Sequence, residues 1–217
     1  MSVITVERKV LAKNDTIAEE TRKLLHSNGI FTINIVSSPG SGKTSLIEKT
    51  IEYFNGKVNM SVIEGDVQTD LDAQRVASYK IPVVQIITNG SCHLEANLVK
   101  DSIGQIDLNK TRLLIIENVG NLVCPAGYDL GEDLKVVVIS VTEGDDKPLK
   151  YPKMFMNSTV IVINKTDLLP YVNCNIEQLK DNALKINPKL KIFEVSSTSG
   201  AGIDKWCSWL EDNLLKH

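Results

Sequence analysis

The stretch SSPGSGKTSLIE, residues 37–48, has the residue types and spacing of a loop that wraps around a nucleotide phosphate. Its two glycines allow backbone N–H groups to turn inward, Lys43 can place a cation beside the β and γ oxygens, and the Thr44 hydroxyl suits Mg²⁺. The first glycine of the usual pattern is replaced here by Ser37. We expect the following residues to contact the nucleotide: Gly40, Ser41, Gly42, Lys43, Thr44 and Ser45.

A second motif, NKTD in the stretch TVIVINKTDLL, indicates which base is bound. The Asp167 carboxylate can accept the N1–H and N2–H donors of guanine, a pair that adenine does not present. Lys165 can lie over the base, and Asn164 can connect neighbouring loops. Alone, this motif would be interpreted as a polar turn that caps a helix, but after a phosphate loop it predicts GTP. In the later stretch FEVSSTSGAG, two small residues offer backbone groups to the guanine oxygen: Ser196 and Ser197.

Carboxylates follow two further apolar runs and could support hydrolysis. In SVIEGDVQTDLDAQR, Asp66 and Asp72 can hold Mg²⁺ through its waters or orient the attacking water, whereas Asp70 is expected only to cap a helix. LLIIENVGN places Glu117 at the end of a run, and Gly120 lets a backbone N–H approach the γ-phosphate. No glutamine stands where small signalling GTPases position their water, so we expect slow turnover. The predicted Mg²⁺ ligands, direct or through water, are Thr44, Asp66, Asp72 and Glu117, and the predicted catalytic set is Lys43, Asp66, Asp72, Glu117 and Gly120.

Two loops contain ligands for a softer metal ion. Cys92 and His93 are adjacent at the expected start of a helix, and Cys124 follows Gly120 by four residues. Both loops follow strands of one predicted sheet, so the three side chains can converge beside the nucleotide. Thiolate and imidazole ligands suit Zn²⁺ or Ni²⁺. Three ligands leave such an ion under-coordinated, but two chains related by a two-fold axis would supply six, which predicts a dimer with a shared or dinuclear site.

A sheet must position these motifs, because short β-branched runs alternate with amphipathic stretches along the chain. The runs predict strands over residues 31–36, 61–65, 82–88, 112–119, 135–141, 159–164 and 191–196. The stretches between them predict helices near residues 14–28, 43–54, 69–79, 93–103, 175–186 and 203–214. Continuous apolar strands with intervening helices indicate a doubly wound α/β fold with a mostly parallel sheet flanked by helices. Ligands of such folds bind beyond the carboxyl ends of the strands, where all of these motifs lie.

Length and composition narrow the classes of function. The chain has 217 residues, of which 24 are basic and 27 acidic, giving a net charge of -3. No Lys/Arg run is long enough to follow a nucleic-acid backbone, and no segment suggests a leader peptide or a bilayer span. We therefore expect a cytoplasmic protein with no nucleic-acid or membrane partner. We expect one domain over residues 1–217, with residues 1–29 as an N-terminal extension or helix packed on it. Four cysteines do not make a disulfide framework, and Cys174 and Cys207 are expected to be structural.

The stretches GDVQTDLDAQR, SCHLEANLV, ENVGNLVCPAGYDLGE and EGDDKPLKYPKMF, with SPGSGKT and NKTD in order, resemble the HypB family of nickel-insertion GTPases in hydrogenase maturation. The resemblance runs from about residue 30 to the C-terminus. It implies a P-loop GTPase of the signal-recognition/MinD (SIMIBI) class that dimerises on GTP and helps to load nickel into nickel–iron hydrogenase. The implied ligands of Ni²⁺ or Zn²⁺ are Cys92, His93 and Cys124. The implied partners are a small zinc-containing protein, HypA, and the hydrogenase large subunit.

The chain departs from the family pattern in two ways. The N-terminal C-x-x-C-G-C nickel motif and the histidine-rich tract of some relatives are absent, so N-terminal nickel storage is not expected. The ATPases of the class carry an extra lysine early in the phosphate loop, where this chain has Ser38. Lys147 or Lys150 could reach the γ-phosphate from the opposite subunit, although solvated lysines are the simpler interpretation.

Three other functions are compatible with parts of the sequence. Relatives that insert nickel into urease place Cys-Pro-His at the metal site, whereas the order here is Cys-His with a separate Cys-Pro. A small-molecule kinase or ligase of the same fold would need an acceptor pocket, and a loop compatible with adenine in place of NKTD. A nickel-storage protein with vestigial nucleotide binding would be expected to carry the missing histidine-rich tract.

Overall fold

The computed structural model describes residues 6–217, with side chains from Val10 onward. Its strands are β1 (Phe31–Ser37), β2 (Met60–Asp66), β3 (Val83–Ile87), β4 (Leu113–Glu117), β5 (Leu134–Ser140), β6 (Val160–Asn164) and β7 (Lys191–Glu194). They form one sheet of seven strands in the order β3-β2-β4-β1-β5-β6-β7, and every neighbouring pair is parallel. The carboxyl end of β1 lies where the strand order reverses, which is the usual ligand position in this fold.

Helices connect the strands and cover both faces of the sheet. They are α1 (Val6–Ser27), α2 (Lys43–Phe54), α3 (Leu71–Ala77), α4 (Ala96–Ile103), α5 (Lys147–Lys150), α6 (Pro152–Met156), α7 (Ile176–Ile186) and α8 (Ile203–Leu214). Helices α2, α3 and α8 pack on one face, and α1, α4, α6 and α7 pack on the other. Because both faces are covered, the central strands are buried along their whole length and read as continuous apolar runs. No helix within residues 6–217 is long and apolar enough to cross a bilayer.

The doubly wound parallel sheet predicted from the sequence is confirmed, with every predicted strand within about two residues of its observed bounds. Two helix predictions were less accurate. The first helix runs from Val6 and not from residue 14, and residues 10–13, before its first buried residue, are mostly exposed. The fourth begins at Ala96 and not at residue 93, so the Cys-His pair lies in the turn before it. The short helices α5 and α6 were not predicted, because each is about one turn long.

Candidate functional site

The loop between β1 and α2 has the backbone shape that its sequence predicts. Gly40 and Gly42 have φ angles of 76° and 95°, which lie in the left-handed region that side chains rarely adopt. A Cβ at Gly42 would also collide with the amide of Asn164. Lys43 donates to Ser37 Oγ at 3.1 Å. The serine that replaces the first glycine of the usual motif therefore supports the lysine. The loop can therefore surround a phosphate with N–H groups and one cation.

A second lysine reaches this loop within the same chain. Lys147 Nζ lies 3.3 Å from Ser38 Oγ and 3.2 Å from Glu143 Oε2, while Glu143 Oε1 accepts the Ser41 hydroxyl at 2.6 Å. The interpretation of a solvated lysine was therefore wrong for Lys147, because α5 folds back over the loop. Lys150 does have the exposed side chain that was expected, and it pairs with Asp146 at 2.6 Å.

Asn164 joins the three loops that would enclose a nucleotide. Its amide Nδ2 donates to the Ser41 carbonyl at 3.0 Å in the phosphate loop. Its Oδ1 accepts the N–H of Lys165 at 2.8 Å and the N–H of Ser197 at 3.1 Å. Lys165 in turn donates to the Gly40 carbonyl at 2.7 Å. The buried amide thus fixes the position of the predicted base loops relative to the phosphate loop.

The structure gives Ser196 a different role from the predicted one. The backbone N–H groups of Ser196 and Ser197 are already donated, to the Ala201 carbonyl and to Asn164. They are therefore not directed at a guanine oxygen in this conformation. The Ser196 hydroxyl instead donates to Asp167 Oδ1 at 2.5 Å, which holds the carboxylate that is predicted to recognise the base. The predicted nucleotide contact Ser45 accepts a hydrogen bond from Arg75 at 3.2 Å.

A cluster of carboxylates lies beside Lys43 and contains one residue that was not predicted. Glu64 on β2 and Glu117 on β4 are register partners, and ligand atoms of Glu64, Asp72 and Glu117 lie within 4.8 Å of one another. Thr44 donates to Glu117 Oε1 at 2.9 Å. A sequence signal for Glu64 existed, since an acid inside the apolar run SVIEG is unusual for a buried strand.

Burial gives these two glutamates unusual electrostatics. Their side chains are 2% and 1% exposed, and one oxygen of each, Glu64 Oε2 and Glu117 Oε2, has no hydrogen-bond partner within the described chain. Burial and the charge of Glu117 raise the pKa of Glu64 to about 8. Burial raises the pKa of Glu117 to about 7, although Lys43 opposes the shift. Unpaired carboxylate oxygens beside the Thr44 hydroxyl are a donor set that fits Mg²⁺.

The remaining acids of the predicted set lie around this cluster. Asp66 is outside it: its Oδ1 accepts the N–H groups of Gln68 at 2.9 Å and Thr69 at 2.7 Å. Although burial opposes the shift, these hydrogen bonds hold the pKa of Asp66 below its usual value. Asp72 pairs with Arg75 at 3.0 Å. Asp70 occupies the N-cap position of α3 but makes no side-chain cap bond, so the predicted capping bond is absent.

Cys92, His93 and Cys124 come together from two separate loops. Each offers a ligand atom within 4.8 Å of the other two, and Cys92 Sγ lies 3.8 Å from His93 Nδ1. His93 Nε2 is buried without a hydrogen-bond partner in the described chain, and burial lowers the pKa of this imidazole. The Cys92 thiol and burial raise the pKa of Cys124. Paired thiols beside a neutral imidazole favour binding of a cation, which would hold both sulfurs as thiolates.

The other two cysteines lie away from this cluster. Cys207 is fully buried on the core-facing side of α8, and burial raises the pKa of its thiol to about 12. Cys174 packs against the core beneath α6 and α7.

A buried amide on α1 supports both predicted metal-binding loops, those of Cys92–His93 and of Cys124, and was missed from the sequence. Asn14 Nδ2 donates to the Asp129 carbonyl at 2.8 Å, and Asn14 Oδ1 accepts the Ala96 N–H at 2.8 Å. Asp129 lies in the loop after Cys124, and Ala96 begins the helix after His93. The ring of Tyr128 in the same loop packs against His93, with centroids 4.1 Å apart. Asn14 is thus a positioning residue for both loops.

Asn14→Ala should lower metal affinity about 10- to 100-fold, because supporting groups that orient metal ligands contribute in this range. It would leave a backbone N–H and a carbonyl unpaired on the two ligand loops. Metal titration by calorimetry measures the effect. The matched control is Asn28→Ala, which removes an exposed amide bound to the Leu24 carbonyl at 2.8 Å. Equal metal affinity in the two variants would contradict a positioning role, and unchanged GTP binding separates that role from general unfolding.

Two contacts connect the phosphate loop and its carboxylates to the metal-binding loops. A Cβ at Gly120 would lie 3.2 Å from Pro39, so Gly120 packs directly on the phosphate loop. The next residue, Asn121, accepts the Val123 N–H at 2.7 Å and the Cys124 N–H at 3.4 Å through its Oδ1. The second contact is on β2, where a Cβ at Gly65 would lie 2.8 Å from the side chain of Leu94, the residue after His93. The two sites are therefore in packing contact.

Comparison with known proteins places this geometry in a known class. The sequence model described as "CobW/HypB/UreG, nucleotide-binding domain" matches residues 31–194. The signal recognition particle receptor FtsY from Elizabethkingia anophelis shares the fold, with a TM-score of 0.55 at 16% identity over 84% of this chain and 65% of that one. The sheet and its phosphate loop thus define a P-loop NTPase fold.

Two closer relatives identify the family. The hydrogenase maturation factor HypB of Azotobacter vinelandii is 47% identical over 209 residues, covering 96% of this chain and 69% of the relative. The crystal structure of HypB from Helicobacter pylori in complex with nickel has a TM-score of 0.90 at 38% identity, covering 94% of this chain and 96% of that one. The chain belongs to the HypB family of hydrogenase maturation factors.

Proposed function

We propose that this protein is a GTP-hydrolysing metallochaperone that binds nickel or zinc and assists nickel insertion into nickel–iron hydrogenase. The observation that carries the proposal is the path from Pro39 through Gly120 and Asn121 to Cys124, which links a phosphate loop to a metal ligand. In this proposal no small molecule other than GTP is chemically changed. Hydrolysis times the release of the ion.

The base loops support GTP as the nucleotide. The Asp167 carboxylate is held by Ser196, and Asn164 fixes its loop to the phosphate loop, so a guanine edge would meet a pre-positioned pair of acceptor oxygens. A kinase or ligase that uses ATP would gain nothing from this carboxylate, since adenine lacks the matching donors. The arrangement therefore favours a GTPase over the alternative of a small-molecule ATP-dependent enzyme.

Hydrolysis would use groups that surround the β and γ phosphates. Lys43 and Lys147 place positive charge at the phosphate loop, and the Gly120 N–H would meet the γ-phosphate. Thr44 and Glu117 would hold Mg²⁺ directly or through water, with Glu64 nearby, and the ion would supply positive charge for the transferred phosphate. In this proposal Asp72, which belongs to the carboxylate cluster, orients the attacking water, and Asp66 on the neighbouring turn is a water-shell ligand. Positioning and charge account for most of the catalysis in this reaction class.

The nickel or zinc ion is cargo in this proposal, and its ligands are Cys92, His93 and Cys124. Three ligands would be completed by a second chain, so we propose a homodimer of the GTP-bound form. Support comes from large apolar side chains that are exposed at the end of β3 and on the loops and helices that follow β2, β4 and β5: Ile87, Leu71, Val123 and Leu149. Such side chains at one edge of the sheet favour a protein contact there.

We also propose the partners and setting that family membership suggests. The ion would pass between this protein, a HypA-type zinc or nickel accessory protein and the hydrogenase large subunit, in the cytoplasm and without nucleic acid or membrane. The whole chain would act as one GTPase domain, with the segment before residue 30 contributing α1 to the metal-binding loops.

The proposal is tested by measuring nickel affinity in the GDP form and with a non-hydrolysable GTP analogue. We expect a difference of about 5- to 150-fold, which is the usual range of coupling between two sites, together with a larger mass in the analogue form. Gly120→Ala should reduce this difference, because its Cβ would press on Pro39. Gly104→Ala is the matched control, since its Cβ would lie 3.3 Å from the Asp101 carbonyl, in a turn that belongs to neither site.

Kinetics provide the second arm of the same test. Asp72→Ala should slow GTP hydrolysis more than it weakens GDP binding, because a role in orienting water is expressed only with the γ-phosphate present. Equal nickel affinity in both nucleotide states, or ATP competing as well as GTP, would contradict the proposed function.

A further inference from the structure

Two of the three histidines in the chain lie together, away from the site described above. His26 is in the last turn of α1, and His217 follows α8. Both imidazoles face Asp133, with Nε2 atoms 2.6 Å and 3.7 Å from its Oδ1. The two rings pack edge to face with centroids 4.7 Å apart. Three groups of the metal-ligating type thus converge from three separate parts of the chain, with one ligand atom of each within 4.8 Å of the others.

The Asp133 carboxylate is held in place by the sheet. Its Oδ2 accepts the Thr32 N–H at 2.7 Å, and its own N–H donates to the Thr32 carbonyl at 2.8 Å. These bonds occupy one oxygen and direct the other, Oδ1, toward the two imidazoles. The ring of Phe31 contacts His217 edge to face at 5.4 Å. Two of the three groups are therefore oriented by neighbours before any ion binds, as is usual around metal ligands.

This cluster lies at the opposite end of the sheet from the nucleotide. Asp133 directly precedes β5, and Phe31 is the first residue of β1, whereas the phosphate loop follows the last residue of β1. The Asp133 and His217 side chains are 13% and 16% exposed, while His26 is 44% exposed. An ion can therefore enter from solvent on the His26 side and be held against two largely buried groups.

We propose that His26, Asp133 and His217 form a second metal site that binds a divalent transition ion, Zn²⁺ or Ni²⁺. Two imidazoles and one carboxylate suit these ions, whereas Mg²⁺ and Ca²⁺ prefer oxygen ligands alone. The guanidinium of Arg112, which binds the Gly29 and Leu214 carbonyls, adds positive charge nearby. The affinity is therefore lower than that of the site with two cysteines. A bound ion would join the end of α1, the start of β5 and the segment after α8.

The test uses full-length protein without a histidine tag, carrying Cys92→Ser, His93→Ala and Cys124→Ser. Only two imidazoles then remain, because the chain has three histidines. Zn²⁺ and Ni²⁺ are titrated by calorimetry, and the imidazole nitrogens are followed by NMR. We expect one ion per chain and simultaneous changes in both imidazole signals. His217→Ala or Asp133→Asn added to this protein should weaken binding at least about tenfold.

Asp133→Asn is the informative variant, because an asparagine oxygen can still accept the Thr32 N–H while the metal loses its carboxylate. Asp107→Asn is the matched control, since it removes an exposed aspartate that pairs with Lys110. GTP binding verifies that each variant is folded. Failure of the starting protein to bind either ion at micromolar concentration, or binding unchanged by both added substitutions, would overturn the second site. The nickel-delivery proposal is unaffected by either outcome, because its ligands are already removed.

Discussion

Cys92→Ala and Cys124→Ala should each abolish nickel binding at the cysteine site while leaving GTP affinity unchanged. Each substitution removes one of three ligand atoms that lie within 4.8 Å of one another, and neither sulfur belongs to the phosphate or base loops. The loss should exceed the roughly 100-fold effect of removing a supporting hydrogen bond. Absorption from sulfur-to-nickel charge transfer measures this site separately from any site made only of histidine and carboxylate.

Cys174→Ala is the control for this prediction, because Cys174 is a partly buried thiol away from the cluster. It should keep the absorption band and the affinity of the unmodified protein. Retention of the band in both Cys92→Ala and Cys124→Ala would mean that these thiols do not bind the ion. A parallel loss of GTP binding would indicate damage to the fold and would contradict the separation of the two sites.

The second large effect concerns the choice of base. Asp167→Asn should weaken GTP about 30-fold or more, because the asparagine NH₂ would face the guanine N2–H, so that one hydrogen bond is lost and two donors are left unpaired, at about 1 to 3 kcal/mol for each of these two effects. The variant should prefer xanthine nucleotides, whose ring offers an acceptor where guanine has a donor. Ser196 can still donate to the asparagine oxygen, so the loop keeps its support. Competition between nucleotides for a fluorescent analogue measures the change.

Asp212→Asn, an exposed aspartate on α8, serves as the control for charge alone and should leave nucleotide preference unchanged. If Asp167→Asn binds GTP as well as the unmodified protein does, Asp167 does not read the base. Asn164 would then serve only to hold the neighbouring loops together.

The features predicted from the sequence were those carried by short local motifs. The phosphate loop, NKTD and the paired strand ends each place chemistry within a few residues, so their position follows once the parallel sheet is inferred. Glu64 was missed because one acid inside an apolar run has no local partner, and only the register with Glu117 shows the pair. Asn14 was missed for a related reason, since its partners Asp129 and Ala96 are about 115 and 82 residues away in sequence.

Lys147 is a further residue whose contacts could not be predicted from the sequence. Its position beside Ser38 depends on α5 folding back over the phosphate loop, a contact between residues 109 positions apart. The sequence pattern around Lys147 predicts a charged turn, but it does not predict where the lysine side chain points. Such contacts between distant residues depend on how the helices pack. Local sequence motifs do not predict that packing.

The contacts of Asn14 also determine where the chain can be truncated without loss of support for the Cys92–His93 and Cys124 loops. The match to the nucleotide-binding family begins at residue 31, after α1 has ended. The amide that joins the two metal-binding loops therefore comes from outside the family domain. A shortened protein that begins at β1 would keep every phosphate and base loop but lose this connection. A truncation chosen from this match alone would therefore keep all three predicted metal ligands and lose one of the groups that support their loops.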